Sequence, residues 1–311
     1  LNPASYSKLQ ATTFSLGASY KSTDLSNANS KEKTTSGSFD YLTMAFPAGD
    51  FRVAVGIMPY SFVGYNIQNT SKSGNFTQAN QFNGEGGLNR TFLGLSYKIN
   101  KNFSIGVDGA YICGDTETSA ITFITDNVEG VPLDRGSRLR NKNNYSGLAV
   151  NAGLNFEQPL NNKLSLFATA TFSPEMKLKN DQESILATVK TDTNLGFVEI
   201  DSRTTTDYDE KMLLPMNYSI GAGIGNHLKW FVGAEYTATQ TSKYNNFYKY
   251  ENARYNDYMK IGLGGFYTPK YNSFESYFEK ISYRAGVNYE NTGLVINNQE
   301  IKGYNANIGI G

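Results

Sequence analysis

A strict two-residue alternation of apolar and polar side chains constrains this chain more than any other feature. From Thr13 to Tyr20, the residues Phe14, Leu16, Ala18 and Tyr20 share one face while Thr13, Ser15, Gly17 and Ser19 share the other. The pattern returns with Phe103, Ile105, Val107 and Tyr111 against Ser104, Gly106, Asp108 and Ala110, and with Leu148, Val150 and Leu154 against Ala149, Asn151 and Gly153. Further copies centre on Leu42, Val55, Leu93, Leu166, Ile220, Val232, Ile261, Val287 and Ile308. The count is twelve strands, and the expected fold class is all-β and antiparallel.

Hydropathy alone points the other way. Mean hydropathy is -0.44 and no run approaches the roughly 18 apolar residues of a membrane helix. A transmembrane barrel strand, however, turns only alternate residues to lipid and fills its interior with polar ones, so its average stays low. The 30 glycines, 22 tyrosines and 19 phenylalanines suit aromatic-rich strands and tight turns. The balance of 28 basic against 28 acidic residues excludes a basic nucleic-acid binder.

Connection lengths decide between a sandwich and a barrel. Pro47 to Asp50, Lys98 to Lys101, Gln158 to Asn162 and Gly225 to His227 are short, whereas 21–36, 67–87, 116–143, 175–210 and 241–255 are long and polar. Outer-membrane barrels place short turns on the periplasmic side and long loops outside. The reading is a single domain over 1–311, a transmembrane β-barrel of the bacterial outer membrane, with outer-membrane lipid and lipopolysaccharide as surroundings. One connection breaks the rule: Thr268 to Lys280 is long on the short-turn side and carries Phe274, Tyr277 and Phe278, as an interfacial element would. Tyrosines near strand ends, among them Tyr60, Tyr97, Tyr111, Tyr236, Tyr267 and Tyr289, match interfacial girdles; β-propensity alone would also enrich them.

The opening Asn2-Pro3-Ala4-Ser5 leads directly into the first strand and resembles the FadL/TodX family of outer-membrane transporters for fatty acids and other hydrophobic molecules. Phe39 to Pro47, Gly84 to Arg90 and Tyr283 to Val287 extend the resemblance over most of the chain. It implies a fourteen-stranded barrel whose lumen holds a plug ended by Asn2, Pro3 and Ala4. Twelve strands and no plug are visible, so an N-terminal plug and a last hairpin are expected outside the sequence shown. A FadL-like barrel also serves as a shuttle in the type IX secretion system, so the resemblance implies either passive transport or a role as a scaffold or shuttle in a larger complex. A hydrophobic ligand and protein partners are the corresponding expectations.

Pro59 stands out because proline cannot donate to a ladder and a closed barrel has no edge to hold it. With Tyr60 and Ser61 it marks either a kink, which in FadL relatives opens the wall toward lipid, or the point where the strand leaves the membrane. By parity Arg52, Lys98, Asp108, Lys229, Glu235, Lys260 and Arg284 face the lumen, as a mutually neutralising network or as contacts for a polar head group. Phe92, Phe167, Phe231 and Phe266 share that face, to line an apolar path or pack against a plug. The same parity predicts that arginine is costly at Val107 or Val150 and mild at Gly106 or Asn151. Gly84-Glu85-Gly86-Gly87 lacks the strand-to-helix setting of a phosphate loop. Cys113 and His227 are single, so a disulfide and a Cys/His metal site have no residues to build from, and the sole histidine sits in a tight turn expected to be periplasmic, away from any nucleophile a hydrolase would need; no cofactor, no metal and no catalytic residue is expected.

Overall fold

The computed structural model describes residues 2–26, 31–126, 131–132, 135–161, 163–192, 196–226, 229–246, 252–273 and 277–311. A short 3-10 helix η1 (Pro3–Lys8) precedes a single sheet of 17 strands. The first are β1 (Thr13–Ser26), β2 (Lys31–Ala48), β3 (Phe51–Phe62), β4 (Tyr65–Ser73), β5 (Phe76–Lys98) and β6 (Phe103–Asp126). Then come β7 (Val131–Pro132), β8 (Arg135–Asn161), β9 (Leu164–Ser173), β10 (Met176–Asp192), β11 (Gly196–Leu214) and β12 (Asn217–Asn226). The last are β13 (Trp230–Thr239), β14 (Ala253–Tyr255), β15 (Tyr258–Tyr267), β16 (Tyr283–Ile296) and β17 (Gln299–Ile310). A 3-10 turn η2 (Thr241–Asn246) and a helical turn α1 (Tyr277–Lys280) lie in connections.

Seventeen segments make twelve crossings, because several strands are one crossing broken by a bend. β3 and β4 both pair with β5, β9 and β10 both pair with β8, and β11 with β12, like β14 with β15, continue each other after two residues. β7 is a two-residue stub at the tip of the β6–β8 hairpin. The breaks fall at Val63-Gly64, Pro174-Glu175, Pro215-Met216 and Asn256-Asp257, two of them at a proline, where a ladder donor is missing. All ladders are antiparallel, in up-and-down order. Among the described residues no ladder joins β1 to β17, so the sheet has two free edges.

The parity reading holds in the wall. Phe14, Leu16, Leu93, Val107, Leu148, Val150, Val232 and Val287 are all exposed on the outer face. Their belt runs from Tyr97 and Phe103 at the short-turn end up to Tyr111 and Leu148, about nine residues, which is the span a tilted strand needs to cross hydrocarbon. No helix among the described residues is long and apolar enough to cross a membrane.

The long connections differ from expectation. Residues 21–26 and 31–36, 67–73 and 76–87, and 116–126 and 135–143 are strand, running as hairpins far beyond the belt. Their sequences look like loops because no lipid selects apolar residues on the outward face there. Face assignment also flips on the way out, since Gly86 (φ +103°) and Gly114 (φ +152°) take backbone conformations that other residues rarely adopt. Beyond them Arg140 on β8 grips Glu117 on β6 through two hydrogen bonds of 2.6 and 2.7 Å, which holds the Glu117 carboxyl below its ordinary range. His227 lies outside the described residues.

Two of the four parity positions need correction. A side chain on Gly106 would lie 2.4 Å from the backbone of Pro3, and Asn151 hydrogen-bonds Asp108, so neither is a tolerant lumenal control. Asn307 faces open lumen instead. Arginine at Val107 or Val150 is expected to cost roughly 2–4 kcal/mol, and at Asn307 much less, in urea unfolding from lipid vesicles. Equal costs on both faces would contradict the face assignment.

Candidate functional site in the barrel lumen and wall

The lumen has a packed half and an open half. In the packed half η1 lies against the inner faces of β5, β6 and β8. Proline at its first helical position needs no donor, and the Asn2 side chain caps it by accepting from the Ala4 amide at 2.9 Å. The same side chain donates to the Leu154 carbonyl at 3.0 Å. Three inward glycines make the close approach possible: a Cβ on Gly94 would meet the Tyr6 ring at 2.8 Å, one on Gly106 Pro3, and one on Gly153 the Asn2 oxygen at 2.1 Å. Lys8 pairs with Glu157 at 2.7 Å, and Arg52 donates to the Leu9 carbonyl at 2.7 Å. Asn2, Pro3 and Ala4 therefore sit in the lumen, packed on the inner faces of β5, β6 and β8.

Above η1 lies a buried charge centre. Asp108, 1% exposed, forms an ion pair with Arg90 and accepts from Asn151 at 3.1 Å, and Asn151 accepts from Ser173 at 3.1 Å. Tyr6 of η1 adjoins this pair. Burial pushes its phenol up to about 12, the Asp108 charge adds to the rise and the Arg90 charge opposes it, so Tyr6 stays neutral. The Tyr6 hydroxyl and Arg90 Nε have no protein hydrogen-bond partner. Higher still, Leu88, Ile112, Leu178 and Leu214 form a fully buried apolar layer.

The expected seven-membered polar network is thus replaced by local solutions. Asp108 is neutralised by Arg90, which the parity list omitted although it shares a face with Phe92. Arg52 is used by backbone carbonyls. Among the described residues no ion pair joins Lys98, Lys229, Glu235, Lys260 or Arg284 to a partner. The phenylalanines divide as well. Phe92, 5% exposed, packs on Ala54 and Ala110 beside Tyr6 of η1 and borders the apolar hollow on the wall beside Pro59.

Phe167, Phe231 and Phe266 belong to the open half. Phe231 meets Phe167 edge-on at 5.6 Å and stacks on Phe266 at 6.2 Å. Phe167 and Phe231 bound a cavity of about 480 Å³ with Gly221, Gly233 and Gly264 as floor and Glu235, Lys260 and Asn307 on its polar side. Such a cavity can hold a small molecule with an apolar body and a hydrogen-bonding end.

The wall is interrupted at Pro59. The β2–β3 ladder ends at Leu42 opposite Ile57, level with Thr91 and Tyr111 at the outer rim of the belt. Beyond it β2 continues with β1 alone, and β3 and β4 with β5 alone. Pro59 pairs with Asn89 and Ser61 with Leu88, which leaves Tyr60 as the extra residue of a β-bulge. Tyr60 lines an inner pocket of about 340 Å³ with Arg90 and Asn151. Outside, Leu42, Ile57, Leu93 and Leu148 border an apolar hollow of about 810 Å³, and Ala149 and Val150 border both spaces.

A barrel with an N-terminal lumenal turn and a wall gap at a third-crossing proline invites comparison with known proteins. The BamG family profile matches residues 1–311. The chain belongs to the BamG family. No curated protein matches it. Among solved structures this BamG-family chain resembles the CymD monoaromatic hydrocarbon channel, with a TM-score of 0.56 and 14% identity over 100% of this chain and 82% of that one. The P. putida toluene transporter TodX gives 0.58 and 13%, covering 93% of this chain and 77% of its own. A Pseudomonas aeruginosa FadL homologue gives 0.58 and 13%, covering 99% and 80%. At such identities the likeness is one of fold, and the BamG-family chain has a FadL/TodX-like β-barrel fold.

Removing one member of the buried pair should be far worse than removing both. Asp108→Asn is expected to destabilise the barrel by about 3–5 kcal/mol, and the double variant Asp108→Leu, Arg90→Met to recover most of that loss, measured by urea unfolding. A double variant no better than the single would assign the pair a stabilising role of its own.

Proposed function

We propose that this barrel passes hydrophobic, fatty-acid-like small molecules between its lumen and the membrane through the gap beside Pro59, without an energy source and without chemistry. The observation that carries this reading is the ladder that stops at Leu42 and Ile57, with a pocket inside the wall and an apolar hollow outside it. In lipid a missing ladder is costly, because each unsatisfied backbone group costs several kcal/mol, so a persistent gap at the belt rim argues for use. The packed half adds support: η1 and the Leu88, Ile112, Leu178 and Leu214 layer fill the side of the lumen behind the gap. Tyr60, Ser61 and Pro59 would form the sill, and Phe167, Phe231 and Phe266 the aromatic lining deeper in. CymD is a channel for monoaromatic hydrocarbons and TodX a toluene transporter, which fits an apolar cargo.

A second reading, a non-transporting scaffold or shuttle subunit of a larger outer-membrane complex, has its own supporting observation. On the outer face of the strand extensions, beyond the belt, Ile67, Phe82, Ala120, Leu139 and Leu186 follow one another in register across β4, β5, β6, β8 and β10, all exposed except the half-buried Ala120. An apolar row outside the hydrocarbon suits a protein partner.

Pro59→Val restores a backbone donor and should straighten β3. Reconstituted in vesicles and checked for insertion by its heat-modifiable gel mobility, that variant is expected to be more heat-resistant and to take up toluene and a fluorescent fatty acid more slowly. Unchanged uptake of both would discard the gap as a route and leave the subunit reading.

A further inference from the structure

The connection between β15 and β16, Thr268 to Ser282, is the one long crossing on the short-turn side, and its described residues are firmly held. The Thr268 amide donates to the Lys229 carbonyl at 2.7 Å, the Lys270 amide to the Glu279 carbonyl at 2.8 Å, and the Ser273 amide to the Lys270 carbonyl at 3.1 Å. Thr268 and Ser282 share a hydroxyl hydrogen bond of 2.7 Å, and Ser273 is fully buried. A connection built only to turn the chain would expose polar residues. This one exposes Tyr271, Tyr277 (77%) and Phe278 (71%).

The direction of that exposure is fixed by Tyr283, whose hydroxyl donates to the Phe278 carbonyl at 3.3 Å. Tyr283 shares the outer face of β16 with exposed Val287, while its neighbours Gly286 and Asn288 line the lumen. α1 therefore hangs from the lipid side of the wall, not beneath the pore. Trp230, Tyr267 and Tyr283 lie in register across β13, β15 and β16, so Tyr277 and Phe278 extend an aromatic row at the hydrocarbon boundary. Lys270 of the same connection is exposed.

We infer that the described parts of this connection, 268–273 and 277–282, form a membrane-anchoring element that inserts Tyr277 and Phe278 into the phospholipid leaflet on the short-turn, periplasmic side and sets Lys270 against lipid phosphates. The occupant is phospholipid and not a protein partner because the aromatic surface is continuous with the lipid-facing belt. Aromatic rings with one wet edge favour the headgroup boundary, and lysines reach phosphate from there. The inference is independent of transport, since none of these residues borders the gap or the lumenal cavity.

Trp230 is the only tryptophan, so Phe278→Trp on a Trp230→Phe background reports on one site. In phosphatidylethanolamine vesicles containing phosphatidylglycerol, with insertion verified by heat-modifiable mobility, the new tryptophan should emit at short wavelength. Phospholipid brominated near the glycerol end should quench it several-fold more than aqueous iodide. The variant Lys270→Glu should retain less phosphatidylglycerol through purification, by about five-fold. Quenching by iodide but not by brominated lipid would overturn the inference, and so would undiminished phosphatidylglycerol retention.

Discussion

The whole structure depends on one requirement: within hydrocarbon a peptide group must hydrogen-bond to another peptide group, because no water is there to take its place. Twelve antiparallel crossings meet it through long ladders, of which β5–β6 and β6–β8 run unbroken from the short turns to far outside the belt. Side chains are then free to serve other ends. Outward positions match lipid, inward positions are small or polar, and glycines recur where another chain segment or a cavity needs the space. Departures from the ladder become the informative places. They are the free edges of β1 and β17, the proline-marked breaks, and the parting of β2 from β3 after Ile57.

The two halves of the lumen follow from what their glycines face. Gly94, Gly106 and Gly153 are filled by η1, which brings Tyr6 against the Arg90–Asp108 pair and so joins the lumenal turn, the charge centre and the wall beside Tyr60 into one packed body. Gly221, Gly233 and Gly264 face the cavity beside Phe231. A buried ion pair of this kind is weak evidence for stability, since desolvation offsets most of the attraction. Its position between η1 and the gap suggests that it fixes arrangement more than it adds energy.

Much of this was legible in the sequence, for a physical reason. Lipid on one side and a lumen on the other impose a period of two over about nine residues, so belt, parity and twelve crossings could be counted from Phe14 to Ile310. Beyond the belt that selection ends. The hairpin extensions of β1 to β8 therefore read as loops, and the flips at Gly86 and Gly114 left no periodic signal. Pro59 was legible because it violates a ladder rule. Arg90 was not, because pairing with Asp108 is diagonal across strands and depends on register, although Arg90 and Phe92 share a face. The seat of η1 on three glycines required knowing that β5, β6 and β8 are neighbours.

The central claim is that the wall is closed below Ile57 and parted above it, and disulfide trapping tests it most directly. On a Cys113→Ser background, Ala45→Cys with Ala54→Cys places two thiols on directly opposed, inward positions of the β2–β3 ladder. Tyr41→Cys with Met58→Cys places them where the next inward pair would fall if the ladder continued. Opposed strand positions lie within disulfide reach, whereas parted strands do not. In membranes treated with a mild oxidant, the account predicts rapid cross-linking of the 45/54 pair and little of the 41/58 pair. Equal cross-linking of both pairs would show an unbroken wall and contradict it.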